Sequence, residues 1–260
     1  MSSLLALSVV CAIALRSQPC SESFGVLYQP AFCLDKELRG PTHPYVPQAG
    51  DIILESDDRL TWGIGHRLAK SGHPHHSLLV FCKPEGGFAI LEAGGNPDTP
   101  SKVSTADLFR ILDWEESKTG RRERRIWIRQ RKAPLTPEQS AALTDYAMEV
   151  TGRRFARAKL FAMMTPIRAK GPIRTAWLGQ ADYDKNRFFC AEMVTTALAR
   201  ACLIDPDLAR PGATFPHDLF MGGSRNYWVD RGLKPLNECW APPARWTNRL
   251  CQTNEASVKP

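Results

Sequence analysis

Cys190 stands where RFFCAEMVTTALARAC changes from an aromatic pair to an apolar repeat of helical spacing, which places it at a helix N-terminus. The unsatisfied N–H groups and positive dipole end of a helix favour thiolate over thiol, and thiolate is the form that attacks a carbonyl carbon. A cysteine nucleophile also needs a base within hydrogen-bond reach, with a third group to orient that base. Of six histidines, His43 lies between prolines, His66 and His217 lie near loops, and His73, His75 and His76 cluster just before an apolar run. His76 opens that run, so it is the histidine attached to a rigid strand, and it is the expected base. The following apolar run, GFAILEA, carries Glu92 near its end. A short turn at Gly86 and Gly87 would bring Glu92 beside His76, where a carboxylate fixes the ring tautomer and stabilises imidazolium. Asn96 and Asp98 are the substitutes for that third position.

These residues need strands and helices to hold them. AGDIILES turns at Gly50 and Asp51 into the strand Ile52 to Leu54, Ser77 to Cys82 forms a second strand, and Gly87 to Ala93 forms a third. Three strands so close in sequence pair economically as antiparallel neighbours. LTPEQSAALTDYAMEVTG carries Thr136 as N-cap, Pro137 at the first helical position and Gln139 at the capping-box position, with Leu143, Tyr146, Ala147 and Val150 at helical spacing. A second amphipathic helix runs from Cys190 through Val194, Ala197, Leu198 and Ala201.

The chain has 260 residues, 43% of them hydrophobic and 23% charged, which suits one domain of catalytic size with extensions. Residues 1–20 hold an apolar stretch from Leu4 to Leu15, of the length of a signal-peptide core, although no lysine or arginine precedes it. Export to the periplasm or cell envelope is the expectation if that segment acts as a signal, and the cytoplasm otherwise. Residues 21–47 read as an irregular arm fenced by Pro41, Pro44 and Pro47, residues 48–220 as the catalytic domain, and residues 221–260 as a loop-rich extension. Eight cysteines show no paired CxxC pattern, which argues against a zinc module. Cys20 with Cys33 and Cys239 with Cys251 are the short-loop disulfide options.

The formal charge is +7, much of it in GRRERRIWIRQRK at 120–132. Isoleucines interleaved with arginines read as a strand with a solvated basic face, suited to an anionic envelope surface. No stacking platform or known binding fold accompanies it, so nucleic acid is not the expected partner. The HPHH cluster raises a metal reading, but an extended strand sends His75 and His76 to opposite sides and no Cys or carboxylate completes a ligand set nearby. No metal and no cofactor are expected.

The order GDIILE, a Trp- and His-containing loop, HHSLLVF, ILEAGGNPD, LTPEQ and FFCAEMVTTAL resembles the permuted branch of the NlpC-type papain-like cysteine hydrolases, the YiiX/YebB-like group. The resemblance spans roughly residues 48–220. It implies an α+β, circularly permuted papain-like fold in which an antiparallel sheet or small barrel packs against helices and the nucleophile heads one of them. It makes Cys190 the nucleophile, His76 the base and Glu92 the third polar residue of a thiol hydrolase acting on peptide-like amides, including cell-wall peptides. A lipid-directed acyl hydrolase or acyltransferase is the related alternative, and a degenerate binding module is the non-enzyme one. The chain departs from the family in having Leu78 two residues after the histidine, where a small residue is usual, and Ala191 after the cysteine in place of serine.

Overall fold

The computed structural model describes residues 23–30, 42–56, 72–94, 102–108, 112, 125–156, 175 and 179–248. The apolar segment at 1–20, Asn96, Asp98, Cys20, Cys33, Cys251 and the tail at 252–260 lie outside the described residues, and so do the two disulfide options that involve them.

An eight-stranded sheet forms the centre, in the order β2-β1-β10-β7-β3-β4-β5-β6. Its strands are β1 (Val26–Pro30), β2 (Thr42–Pro44), β3 (Ile52–Ser56), β4 (His76–Cys82), β5 (Phe88–Ala93), β6 (Val103–Asp107), β7 (Arg125–Arg129) and β10 (Ala244–Thr247). Every neighbouring pair is antiparallel. Among the described residues no pairing joins β6 back to β2, so the sheet is open. Among the described residues four α-helices accompany it: α1 (Pro137–Val150), α2 (Cys190–Arg200), α3 (Pro216–Met221) and α4 (Tyr227–Cys239). A separate two-stranded pair, β8 (Arg154–Phe155) with β9 (Arg187–Phe188), is parallel. The architecture is therefore mixed α+β with a large antiparallel sheet. None of the described helices is long and apolar enough to cross a membrane.

Side-chain alternation gives the sheet two apolar faces. Ile52, Leu54, Leu79, Phe81, Leu91 and Trp127 join a core with Leu143 and Tyr146 of α1 and Val194, Ala197 and Leu198 of α2. Ile53, Leu78, Val80, Ile90, Ile126 and Ile128 form a second core with Leu27, Tyr45, Ala244 and Trp246. α2 is buried from Cys190 to Ala199. Its two threonines are accommodated because Thr195 and Thr196 donate their hydroxyls to the carbonyls of Ala191 and Glu192, at 2.8 and 2.7 Å.

The local signals in the two expected helices hold. Thr136 Oγ1 accepts from the Gln139 N–H at 3.2 Å and Gln139 Oε1 accepts from the Thr136 N–H at 3.1 Å, closing the capping box at α1. Gly86 and Gly87, at φ of 99° and 79°, make the tight β4–β5 turn that a side chain would strain.

Three expectations need correction. The described residues of the arm at 21–47 are not irregular throughout: they supply β1 and β2, with Val26, Leu27 and Tyr28 buried and Pro44 at the sheet edge, where a missing N–H removes no internal bond. The extension at 221–260 is not loop-rich in its first half. α4 buries Val229, Gly232, Leu233 and Leu236 at helical spacing with Pro235 inside it, and β10 lies between β1 and β7. The sheet thus crosses both bounds of the 48–220 domain, drawing strands from each end of the chain.

The third correction concerns 120–132, of which 120–124 lie outside the described residues. β7 is internal rather than solvated: Ile126 and Ile128 fill one core, Trp127 the other, and Arg129 is 1% exposed. The Arg129 guanidinium donates to the carbonyls of Leu219 (2.9 Å), Phe220 (3.4 Å), Leu236 (3.0 Å) and Ala241 (3.3 Å) and to Asn237 Oδ1 (2.8 Å). It collects carbonyls near the C-terminal ends of α3 and α4, where helix dipoles favour a cation. Burial lowers its pKa to about 10, so it stays charged at neutral pH. Arg131 in turn lies over the Trp240 ring at 4.2 Å. Arg129→Met is expected to destabilise the protein by roughly 3–5 kcal/mol, because it strands buried acceptors at the junction of two helices and the sheet. Urea unfolding reads this directly, and a loss within about 0.5 kcal/mol, the range of an ordinary surface change, would show the network to be dispensable.

Candidate active site

The GD motif works by structure. Asp51 Oδ2 accepts from the Tyr45 hydroxyl at 3.0 Å and the Gln48 N–H at 2.9 Å, and its Oδ1 accepts from the Arg131 N–H at 2.7 Å. Burial pushes its carboxyl up to about 7 against those three donors. The result ties the entry of β3 to the exit of β7, which fixes the strand beside the candidate base.

From β3 outward the sheet brings polar residues to one end. His76 begins β4, and its Nε2 lies 3.6 Å from Glu92 Oε2 on β5, long for a hydrogen bond but within ion-pair reach. Glu92 is 2% exposed and accepts from Ser104 Oγ of β6 at 3.2 Å. Ser104 is its register partner, so the next strand fixes the carboxylate. With Nε2 turned to Glu92, Nδ1 is the ring nitrogen left to face Cys190, the group that most strongly raises the His76 pKa.

Cys190 is the first residue of α2 and is 4% exposed. Its approach is pinned on the preceding residues. The Ala156 N–H donates to the Phe188 carbonyl at 2.7 Å and the Arg154 N–H to that of Asn186 at 3.0 Å, while Arg153 donates to the carbonyls of Tyr183 and Lys185 at 2.8 and 2.9 Å. Glu192 braces the helix start, as its position suggests: its carboxylate accepts from the Phe189 N–H at 3.4 Å and pairs with Lys185.

The backbone N–H groups of Ser77 and Ala191 also favour the Cys190 thiolate. Ser77 is available for a clear reason. The N–H of Val80 points to Asp51 on the β3 side, at 2.9 Å, and N–H directions along an antiparallel strand alternate, so that of Ser77 points toward β5. The β4–β5 ladder ends at Leu79 and Leu91, leaving this donor to the thiol.

Burial alone raises the Cys190 pKa, but the charge and hydrogen bond of His76, followed by the two backbone N–H groups, outweigh it and hold the thiol below its ordinary value. Burial likewise opposes protonation of His76, yet the Cys190 thiolate, then Glu92 and Glu55, raise it well above the usual imidazole range. The two shifts share one cause, since each group favours the charged form of the other in a buried site.

All three expected site residues therefore meet. His66 lies outside the described residues, and the histidines nearest His76 are engaged with one another: His73 hydrogen-bonds Ser56 Oγ, its carbonyl accepts from His217 Nδ1, and the His73 and His75 rings lie 4.2 Å apart. Among the described residues, no group of three or more His, Cys, Asp or Glu is arranged to hold a metal ion. Of the two residues that depart from the resembled pattern, Leu78 is buried in the second core opposite Ile53 and Ala191 is buried in the first. Glu55 is the site neighbour the sequence reading passed over. The signal was present, since antiparallel pairing of GDIILES with a strand opening at His76 brings the carboxylate at the end of one opposite the start of the other.

No protein-family model matches the chain, and no curated protein matches it. Among solved structures it is similar to metalloprotein YiiX from Escherichia coli O157:H7, with 15% sequence identity and a TM-score of 0.43, over 79% of this chain and 99% of that one.

Proposed function

We propose that the chain is a cysteine hydrolase of permuted papain-like type that cleaves peptide-like amides, with Cys190 as nucleophile, His76 as base and Glu92 as its orienting carboxylate. The observation that carries this reading is the meeting of a helix-start thiol with a histidine whose other ring nitrogen faces a buried carboxylate. The imidazolium form of His76 keeps Cys190 as thiolate. Sulfur attacks the carbonyl carbon, and negative charge develops on the carbonyl oxygen, where the Cys190 N–H at the head of α2 contributes to its stabilisation. His76 then gives its proton to the leaving amine, and neutral His76 takes a proton from the water that releases the acyl group and restores the thiol. Cell-envelope peptides are the first substrates to try.

The test is a pH-resolved iodoacetamide labelling map of the full chain, with exposed Cys202 as comparator. Cys190 is expected to reach its labelling plateau well below the range of an ordinary thiol, roughly pH 8.5. The midpoint, rather than the absolute rate, is the readout, because Cys190 is 4% exposed and reagent access slows it. A midpoint no lower than that of Cys202 would sink the hydrolase reading in favour of a binding module.

A further inference from the structure

Glu55 is a buried carboxylate that the three-residue mechanism does not use. It lies near the end of β3, is 9% exposed, and is the register partner of His76. Directly opposed residues of an antiparallel pair share a face, with Cβ atoms about 4.5–5.5 Å apart. The strand on the other side of β4 supplies Glu92. Each neighbour of the histidine strand thus brings one carboxylate to the same imidazole. The Glu55 backbone is tied here as well, since its carbonyl accepts from the His75 N–H at 2.9 Å and fixes the pairing at a strand end that would otherwise fray.

One carboxylate is enough to set a ring tautomer. A second, shielded from water, is a destabilising choice unless its charge is used. Among the described residues, the other ionisable groups about His76 are Cys190 from α2, Glu92 from β5, and His73 and His75 on the approach to β4, with His217 of α3 bound to the His73 carbonyl. Of these groups and Glu55, only the thiol and the two carboxyl groups can carry negative charge. We propose that Glu55 is a second positioning carboxylate, which with Glu92 clamps the His76 imidazolium from both sides and keeps the thiolate–imidazolium pair populated into the alkaline range. This rests on the reading of Cys190 and His76 as nucleophile and base. Its consequence is a broad activity plateau on the alkaline side, because the imidazolium proton is released to solvent only after the pull of both carboxylates is overcome.

The experiment follows the ring signals of His76 by NMR across pH in the full chain, assigned with His76→Gln, for the native protein, Glu55→Gln and Glu55→Asp, with thermal unfolding alongside. Glu55→Gln keeps the shape and removes the charge. It is expected to lower the His76 inflection by about one pH unit, the size of effect of one nearby opposite charge. Glu55→Asp, which draws the charge back by one methylene, is expected to lower it by a smaller step. An unmoved inflection in folded Glu55→Gln overturns the proposal and assigns Glu55 a purely structural role, even if melting falls. Should Glu55→Gln not fold, an unmoved inflection in Glu55→Asp overturns it equally. The hydrolase reading fails separately, through the labelling midpoint of Cys190 in the native protein.

Discussion

Cys190→Ala is expected to reduce kcat/KM on a hydrolysable amide or ester probe by roughly 10⁴- to 10⁶-fold while the protein still folds. Among the described residues the free cysteines are Cys82, Cys190, Cys202 and Cys239, and the pKa depression caused by His76 belongs to Cys190. What survives the substitution is the binding of substrate and the N–H groups at the head of α2, which together stabilise a transition state that now lacks its nucleophile. Stability should change little. The substitution removes one buried sulfur at the end of a helix whose packing runs through Met193, Val194, Ala197 and Leu198. It also removes the thiolate that most strongly raises His76, so the imidazole should titrate lower in the variant. Cys190→Ser is expected to fail to nearly the same degree, since a hydroxyl at that position ionises far too weakly to replace a thiolate at neutral pH. The measurement is kcat/KM with thermal unfolding on the same preparations, and a folded Cys190→Ala protein that retains native turnover removes the nucleophile assignment.

What the sequence made legible was whatever short-range pattern determines. Thr136, Pro137 and Gln139 announce α1 because a cap is a contract among adjacent residues, and the apolar spacing from Val194 to Leu198 does the same for α2. The approach of His76 to Glu92 was legible because the two sit on strands joined by a tight turn, and Cys190 stood out as a thiol before an apolar helix. The parts that stayed hidden depend on distant partners. β1 and β10 pair across more than two hundred residues, Val26 with Thr247, and nothing local in either segment identifies the other. Pro235 conceals α4, whose burial pattern overrides the local penalty through packing at Val229, Leu233 and Leu236. Arg129 misled for a related reason: a charge in an alternating strand reads as solvent-facing, and only the ends of α3 and α4 converging on it make burial tolerable. Glu55 fell between these cases. Its register was inferable, but its meaning required knowing that Glu92 approaches the same ring from the opposite strand.

The loss of His76 should separate a primed thiol from a merely buried one. His76→Ala removes two things at once, the proton acceptor and the positive charge that holds Cys190 as thiolate. Burial, which alone raises the thiol pKa, then acts without its main opponent, and only the N–H groups of Ser77 and Ala191 still favour the anion. The sign of the pH effect follows. The ion pair needs Cys190 deprotonated and His76 protonated, and the lowered Cys190 pKa and raised His76 pKa both widen the window that allows it. Its contribution disappears as pH falls through the former, when sulfur takes a proton, and as pH rises through the latter, when the ring gives one up. In His76→Ala the window is gone, and thiolate appears only as hydroxide removes the proton from an unassisted thiol. Turnover at neutral pH is expected to fall about 10³- to 10⁴-fold. The deficit in iodoacetamide labelling should shrink about tenfold per pH unit on raising the pH, until the thiol is ionised. Added imidazole, small enough to enter the space left by the ring, should recover part of both rates. His73→Ala is the matched control, because His73 is engaged with Ser56 and His217 rather than with the sulfur. A His76→Ala profile that keeps the native midpoint would mean that the helix terminus alone ionises Cys190, and His76 would lose its role as base.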